Sequence, residues 1–467
     1  MSNLVLLPEA LVVAGALVLL IVGRVRRRSR RWLPLGAVAI ALAALLLELW
    51  VGSALATYFG GALVQDRFAL FAKAAVLLAA ALALAVTDWS DEDTPAIAMA
   101  MILLAAFGVM VIASAGDFVG LWAGLELAAA AGVVLVSLGR SELGLRLLVV
   151  GGVASALVLV GFAFVYASTG SADLLTVRRA LRSAGATLPL AIPVLLLLAG
   201  LAVRAGLPPF QFARLPIGLA ASPLGASMII GLVAAAALTV AIKVAAALTP
   251  VPAVFSPYLM VVAAVAMVGG GAAALATRSP RARLAYLAAG QVGWVAAGLA
   301  THYRTGLGSS LFLLGAFAVA ATAGPAVMAG ADVGEFALAG LGVLRPARAA
   351  GIALVFLSLA GAPPLAGFFG EFAVAASLAQ TGAFWLVALG FLGALMSTAA
   401  ALGTVRAIYL QSPPDDSRRA AGARLPVLTR LSTIGAIAIC IVIGGYGVFA
   451  NPILGLADQG AEALGLR

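Results

Sequence analysis

The chain has 467 residues, of which 64% are hydrophobic and only 10% charged, and its mean hydropathy is +1.16. A soluble domain contains about 45–50% apolar and about 25% charged residues, so we predict a polytopic helical membrane protein, and the continuous apolar runs do not fit an outer-membrane barrel. The net charge of +10 comes mainly from loop arginines, which indicates membrane topology rather than nucleic-acid binding, and a single cysteine and a single histidine exclude a disulfide, an iron–sulfur cluster, a zinc finger and a haem site.

The apolar runs are each near the roughly 20 residues that are needed to cross a bilayer. They predict fourteen transmembrane spans over residues 4–23, 33–55, 68–87, 95–115, 118–138, 145–167, 187–212, 222–247, 255–277, 284–301, 307–330, 349–378, 384–405 and 432–452.

Loop arginines set the predicted orientation. The loop after the first span carries six arginines between positions 24 and 31, and such a loop is expected on the cytoplasmic side. This places the N-terminus outside, and the even number of spans places the C-terminus outside as well. The 169–186 segment has three arginines on the outer side and is predicted to form a short amphipathic helix at the membrane interface.

Two of the spans contain a proline pair. Gly206-Leu207-Pro208-Pro209 interrupts span 7, and Gly361-Ala362-Pro363-Pro364 interrupts span 12. Proline removes a backbone donor and clashes with the preceding turn, so both helices are expected to break inside the bilayer, where a break is tolerated only in contact with protein or water. Matching breaks in two halves of a chain point to a transport pathway. The alternative is that both are kinks that improve packing.

Ionisable side chains within spans are costly and mark functional sites. Carboxylates and cations on consecutive spans have the composition of a proton relay. For three of the residues the alternative of anchoring at the interfaces stays open, namely Glu9, Glu48 and Arg146. The complete set is Glu9, Glu48, Lys73, Glu126, Arg146, Arg204, Lys243 and Glu371.

Six motifs give the sequence a family resemblance. Through them it resembles the antiporter-type subunits of NADH–quinone oxidoreductase (complex I), most of all subunit N, and also their relatives in multisubunit Na⁺/H⁺ antiporters and membrane-bound hydrogenases. The resemblance covers nearly the whole chain. The motifs, in order, are LLPEAL (6–11), DRFALFAK (66–73), GLEL (124–127), GLPPFQF (206–212), RLAYLAAGQVGW (283–294) and LSLAGAPPLAGFFGEF (357–372).

The resemblance implies an all-α fold with two inverted five-helix repeats, spans 4–8 and 9–13, each with one broken helix. We therefore expect an N-terminal three-helix segment (1–94), a first repeat (95–247), a second repeat (248–410), and a final part (411–467) with a cytoplasmic loop, the last helix and a tail. The resemblance also implies a central hydrophilic axis with a glutamate in span 5 and basic residues in spans 7, 8 and 12.

In the first half, Glu126 matches the expected glutamate, and the lysines of spans 6 and 7 fall on Arg146 and Arg204. Arginine keeps its proton at essentially every accessible pH. Arg204 is therefore expected to hold Glu126 ionised and to order water, without shuttling protons itself.

The remaining positions depart further from the family pattern. The span 8 lysine falls on Ala235 or Ala236, the span 12 position is Glu371 as in the subunit M type, and Gln211 replaces the histidine of the usual PFH. Lys243 lies seven or eight residues beyond the alanines, roughly 10–12 Å along a helix, and we expect it to substitute for the missing lysine or the relay to be weakened.

The leading hypothesis is a proton-translocating membrane-arm subunit of an NADH–quinone oxidoreductase in a bacterial inner membrane. Glu126 would pair with Arg204, Lys243 would carry the proton across the middle, and Glu371 would serve the second half-channel. No redox cofactor is expected on this chain, since NADH and quinone would be used by the whole complex. Its expected partners are other membrane-arm subunits and the lipid bilayer. The alternatives are a subunit of a cation/proton antiporter or membrane-bound hydrogenase, and a non-conducting structural paralogue.

Overall fold

The computed structural model describes residues 5–25, 32–52, 56–89, 94–184, 188–329, 338–412 and 427–465. In these ranges the protein is almost entirely helical, apart from one short antiparallel hairpin of β1 (Ala56–Tyr58) and β2 (Leu63–Gln65). The helices are α1 (Leu7–Val25), α2 (Leu33–Val51), α3 (Arg67–Val86), α4 (Pro95–Ser114), α5 (Phe118–Gly139), α6 (Ser141–Thr169), α7 (Leu174–Ala184), α8 (Leu188–Ala205), α9 (Gln211–Ala220), α10 (Pro223–Ala226), α11 (Val233–Leu248), α12 (Pro252–Ala276), α13 (Pro280–Ala300), α14 (Arg304–Val327), α15 (Leu341–Leu344), α16 (Pro346–Leu359), α17 (Ala366–Gln380), α18 (Phe384–Leu410), α19 (Val427–Val448) and α20 (Ala450–Ala463).

Eleven helical segments of the described ranges are long and apolar enough to cross a membrane, which confirms a multi-pass membrane protein. They are α1 to α6, the continuous α10–α11 segment, α12, α14, α18 and most of α19. The other three predicted spans coincide with α13 and with the interrupted pairs α8–α9 and α16–α17. The count of fourteen and the inverted repeats stay predictions. The arginines at 26–31, which carry most of the predicted orientation, lie outside the described residues.

Short polar side chains begin several of the spans. Asp66 Oδ1 accepts a hydrogen bond from Ala69 N at 2.7 Å at the start of α3, and Asp117 Oδ1 accepts one from Gly120 N at 2.7 Å at the start of α5. The first amides of a helix have no partner within the helix, and the bilayer core offers no water to replace one. These carboxylates therefore fix where the two spans begin.

The two segments Gly206–Pro209 and Gly361–Pro364 interrupt a helix in the same way. Gly206 has φ +76° and Gly361 has φ +70°, which is the left-handed conformation that favours glycine at a helix end. Directly after each glycine an amide bonds back five residues, from Leu207 N to Ala202 O and from Ala362 N to Leu357 O, both at 2.9 Å. The two interruptions thus share one local geometry, and each leaves a helix end inside the bundle.

The most buried span is α14, which packs against α3, α13, α17 and α20. Close approach elsewhere depends on small residues: a Cβ atom at Gly108 of α4 would lie 2.7 Å from the carbonyl oxygen of Gly124 on α5. Such glycine contacts let transmembrane helices pack tightly. This contact fixes α5 two residues from Glu126 and so sets the position of that carboxylate.

The amphipathic helix predicted within 169–186 is present as α7. Its apolar face is buried through Val177 and Leu181, and Arg178 Nη1 donates to Leu464 O at 2.9 Å. Burial lowers the pKa of Arg178, and the neighbouring Arg182 adds to this effect. The helix therefore packs on the bundle, next to the C-terminal end of α20.

Candidate functional site

Glu126 and Arg204 form an ion pair beside the first helix break, in which Arg204 is buried and Glu126 is partly exposed. Arg204 lies in the last turn of α8 and is 3% exposed, and its Nη2 donates to Glu126 Oε1 and, at 3.1 Å, to Gly151 O of α6. A cavity of about 110 Å³ adjoins the pair, and the side chain of Glu126 is 33% exposed towards it. The space is large enough for water. The pairing predicted from the sequence is thus present in the structure, with solvent-sized space at the carboxylate.

Arg214 falls between predicted spans 7 (187–212) and 8 (222–247), which predicts a loop position for it, and this prediction is wrong. The helix resumes after the break, so Arg214 lies within α9 and is buried. Its Nη2 donates to Ile229 O at 2.9 Å, and its side chain lines the cavity next to Glu126. The segment after Pro209 forms a helix of ten residues, Gln211–Ala220, and its length was the sequence feature that could have indicated a helix instead of a loop.

Lys243 lies at one end of the bundle, not at its middle as predicted. Its Nζ donates to Ala115 O at 2.6 Å, just past the end of α4, and lies 5.3 Å from the centre of the Phe68 ring in the first turn of α3. Burial raises the pKa of Asp66, which caps α3, and the charge of Lys243 opposes that rise. Since Lys243 is only five residues, or about 7.5 Å, from the end of α11, it cannot occupy the centre of the span.

Glu371 is buried against the second break. Gln291 Nε2 donates to Glu371 Oε1 at 2.5 Å and also lies 3.1 Å from Leu359 O at the end of α16. A Cβ atom at Gly361 would overlap the carboxylate oxygens of Glu371, so the carboxylate rests directly on the interrupted backbone. Gln291 was not singled out from the sequence, although an amide in the otherwise apolar part of the RLAYLAAGQVGW motif was a usable signal.

A further charged cluster lies in α1–α3, outside both predicted repeats. Lys73 Nζ is 2.5 Å from Glu9 Oε1, 3.7 Å from Glu48 Oε2 and 2.6 Å from Gln65 Oε1. Gln65 Nε2 donates in turn to Glu48 Oε1 at 2.7 Å. All four side chains are buried. Glu9 and Glu48 therefore do more than anchor their spans near the interfaces, because they share the one lysine between them.

Arg146 is not brought to the other charged residues. Its guanidinium donates to Glu142 Oε1 at 2.5 Å, and both side chains are mostly exposed on α6. A pair four residues apart on an exposed helix face contributes only a few tenths of a kcal/mol. Its predicted part in a proton pathway has no contact in the described residues to support it.

The region around Ala235 and Ala236, where the resemblance places a lysine, contains small hydroxyl groups instead. Both alanines are buried, and a π-helical segment, Ser227–Leu232, precedes them. Ser227 Oγ and Thr322 Oγ1 are buried without a hydrogen-bond partner in the described structure. Single π-turns are frequent at functional sites. No cluster of three His, Cys, Asp or Glu side chains suited to a metal occurs among the described residues.

These features define a class of protein: a polytopic helical membrane protein in which two interrupted helices hold ionisable side chains inside the bundle. The family described as NADH:quinone oxidoreductase/Mrp antiporter, transmembrane, matches residues 115–397, and the chain belongs to this family. The matched region includes Glu126, Arg204, Lys243 and Glu371.

Relatives extend over the full length of the chain. The NADH-quinone oxidoreductase subunit N of Granulibacter bethesdensis is 30% identical, and the alignment covers 98% of this chain and 98% of the relative. Among solved structures, a chain of respiratory complex I from Thermus thermophilus is 23% identical with a TM-score of 0.80, over 97% of this chain and 99% of that one. A chain of the Mrp complex from a Dietzia species is 18% identical with a TM-score of 0.82, over 99% and 98%. The chain is thus an antiporter-like membrane subunit most similar to subunit N.

Proposed function

We propose that this chain is a proton-translocating membrane-arm subunit of an NADH–quinone oxidoreductase in a bacterial inner membrane. The observation that carries the proposal is the Glu126–Arg204 pair, which lies beside a helix break, has a buried guanidinium, and adjoins a cavity of about 110 Å³. The assignment to this complex is based on the full-length relatives, which are named NADH-quinone oxidoreductase subunit N. Other membrane-arm subunits are the proposed partners, and electron transfer from NADH to quinone takes place elsewhere in the complex.

The pair is suited to bind and release one proton. Arg204 compensates the charge of the Glu126 carboxylate, and a proton that arrives on Glu126 leaves the buried guanidinium without its counter-charge. Since arginine does not give up its own proton, only the carboxylate side of the pair exchanges one. Proton binding at Glu126 is therefore coupled to the position of the last turn of α8, which ends one residue after Arg204.

Glu371 is the matching proton-binding group at the second break. Its polar side-chain contact is with Gln291, and no cationic side chain of the described residues lies within salt-bridge distance. A buried carboxylate without a counter-charge favours the neutral form, so the group is poised to take a proton when one is supplied.

Lys243 has a different part from the one predicted. At the end of the bundle where α3 begins and α4 ends, it lies among Asp66, Phe68 and Ala115 O. We assign it to proton transfer at that end and not to the crossing of the middle. Arg146 is left outside the pathway.

The test is Glu126→Gln in inside-out membrane vesicles, with proton uptake measured against NADH oxidation. The amide keeps the size of the side chain but cannot bind the proton, so we expect a sharp fall in protons moved per NADH with the complex still assembled. Glu142→Gln is the matched control, because Glu142 is also a glutamate on this half of the chain but is mostly exposed. Unchanged pumping in Glu126→Gln would overturn the proposal.

A second candidate function is that of a cation/proton antiporter subunit, favoured by the similarity in fold to the Mrp chain. It predicts sodium-dependent proton movement that needs no NADH. A non-conducting paralogue, the third reading, predicts that substitution of Glu126, Lys243 and Glu371 each leaves proton movement unchanged.

A further inference from the structure

A larger cavity, of about 310 Å³, lies on the other side of the first break. It is enclosed by α9, the second half of α12 and the first half of α13, and Phe317 of α14 closes its inner end. The walls are mainly apolar, with residues such as Leu215 and Val292. Ligand pockets of about 300–1,000 Å³ typically have this composition, with a small number of polar groups that orient the ligand.

The polar groups in this cavity include a cation without a counter-charge. Arg214 is 4% exposed and lines the cavity, its Nη2 is bonded to Ile229 O, and its Nη1 has no hydrogen-bond partner in the described structure. Gln211, one turn earlier, also lines the cavity with an orphaned Oε1. No carboxylate of the described residues lies within salt-bridge distance of Arg214, and the like charge of Arg204 acts on it. A buried guanidinium in this state needs an anion.

The cavity opens sideways through α12. Val265 and Gly269 both line it and are both exposed on the outer face of α12, which is a membrane-spanning candidate. Arg214 lies six residues, or about 9 Å, from the end of α9, and that end is held to α13 by Arg281 Nη1, which donates to Ala221 O at 2.9 Å. A ligand that enters by this route comes from the depth of the acyl chains near one membrane surface.

We propose that the cavity binds an anionic phospholipid of the surrounding bilayer. The phosphate accepts hydrogen bonds from Arg214 Nη1 and from the Gln211 amide, which presents its nitrogen after a half-turn of the side chain. An acyl chain lies along Val265 and Gly269. Basic pockets between transmembrane helices are suited to anionic headgroups, and the apolar walls and sideways opening favour a lipid over free phosphate. The site joins α9 of the predicted first repeat to α12 and α13 of the second.

Five variants test the parts of this site. Arg214→Gln removes the charge and Arg214→Lys keeps it. Gly269→Leu obstructs the opening without touching the guanidinium, because a Cβ atom at Gly269 meets only open space. Gly445→Leu is its matched control, since Gly445 on α19 is also a glycine with open space and lies outside the cavity. Arg406→Gln controls for the loss of one positive charge, at an exposed site on α18.

The experiment uses the native assembly that contains this chain, purified in detergent, stripped of loose lipid, and given a phosphatidylglycerol with a photoreactive acyl chain. Cross-linked peptides are identified by mass, with phosphatidylglycerol, phosphatidylcholine or inorganic phosphate as competitor. We expect labelling within residues 261–276 and 284–292 that phosphatidylglycerol competes and phosphatidylcholine does not. Loss of a charged hydrogen bond should weaken binding about tenfold to a hundredfold in Arg214→Gln.

The controls decide the reading. Gly269→Leu should also lose the label, whereas Arg214→Lys, Gly445→Leu and Arg406→Gln should keep it. Equal competition by phosphatidylcholine, undiminished labelling in both Arg214→Gln and Gly269→Leu, or no labelling at this site because a neighbouring subunit covers α12, would each overturn the proposal. Loss of the label with inorganic phosphate alone would identify free phosphate as the ligand and overturn the lipid assignment. None of these outcomes depends on proton pumping, so the proposed function is tested separately.

Discussion

The two helix breaks provide a matched pair of glycines with which the placement of Glu371 can be tested. Gly206 and Gly361 have nearly the same positive φ, +76° and +70°, but their surroundings differ. A Cβ atom at Gly206 meets open space, whereas one at Gly361 overlaps the Glu371 carboxylate. Alanine at either position is strained by about 1–2 kcal/mol in the left-handed conformation. Only alanine at Gly361 must also push the carboxylate away from Gln291.

The second effect has its own magnitude. A hydrogen bond to a charged or strongly polar buried partner contributes about 1.5–3 kcal/mol, so Gly361→Ala should destabilise the chain by about 2.5–5 kcal/mol and Gly206→Ala by about 1–2 kcal/mol. The double variant Gly361→Ala with Glu371→Ala removes the overlap. When Glu371 is already alanine, adding Gly361→Ala should therefore lower the free energy of unfolding only as much as Gly206→Ala does.

Cys440, the only cysteine of the chain, is half-buried and reports unfolding in the purified assembly. Pulsed thiol labelling over a denaturant series, with the Cys440 peptide quantified by mass, gives the free energy of unfolding for each variant. Proton uptake per NADH is measured in parallel, and we expect it to fall in Gly361→Ala and to change little in Gly206→Ala. Equal losses of stability in the two single variants would refute the contact between Glu371 and the second break.

Three further predictions concern charged residues outside the two breaks. Lys73→Met leaves Glu9 and Glu48 without their cation and should cost about 3–5 kcal/mol in unfolding experiments, and added Glu48→Gln should restore part of it; equal stability of Lys73→Met and the unmodified chain would contradict the cluster. If Lys243 exchanges protons, both Lys243→Met and Lys243→Arg should lower proton uptake about a hundredfold. Normal proton uptake in Lys243→Arg would show that the position needs only a positive charge and that Lys243 does not transfer protons. Burial raises the pKa of Asp458 on α20, so the folded state binds a proton at this carboxyl more tightly than the unfolded state does. The stability that this proton contributes is therefore complete below a pH of about 4 and is lost as the pH rises through the raised pKa of the folded state. The protection factors of the amides over residues 450–463, which correct for the intrinsic rise of exchange with pH, should fall across that range, and this fall should be absent in Asp458→Asn.

Much of this architecture follows from local sequence, because the bilayer imposes simple requirements. Apolar runs of sufficient length predict spans, and Gly206 and Gly361 with the prolines after them predict where two helices end. The Glu126–Arg204 pair was also predictable, because the resemblance placed both residues on the same axis. Such features depend on a few consecutive residues or on a motif, so they can be predicted without knowing how the helices pack.

Contacts between distant elements were not predictable in the same way. Lys243 is expected to act at the middle because it would substitute for a lysine at Ala235 or Ala236, near the centre of predicted span 8 (222–247). Its own position is five residues from the end of α11, and its contact with Ala115 O, across the bundle, becomes visible only in the structure. Gln65 and Gln291 were missed because a single amide carries no pattern until its partner is known. The sequence predicts a loop position for Arg214, because an arginine between two apolar runs usually lies in a short loop and indicates the orientation of the chain in the membrane.

The buried basic and amide groups share one structural solution that joins the fold to its charges. Lys243 bonds to Ala115 O just past the end of α4, Arg214 bonds to Ile229 O in the π-helical segment, and Gln291 lies by Leu359 O at the second break. Each of these carbonyls belongs to backbone where the regular α-helical ladder stops or changes register, so its oxygen is available to a side chain. Arg204 is the exception, because it bonds to Gly151 O within the regular helix α6, but its charge is compensated by Glu126. The bilayer core offers the other side chains no water in place of these carbonyls. The irregular backbone thus supplies hydrogen-bond acceptors for these polar side chains within the membrane. A substitution that converted one of these segments into regular α-helix is expected to leave the side chain bonded to it without its acceptor.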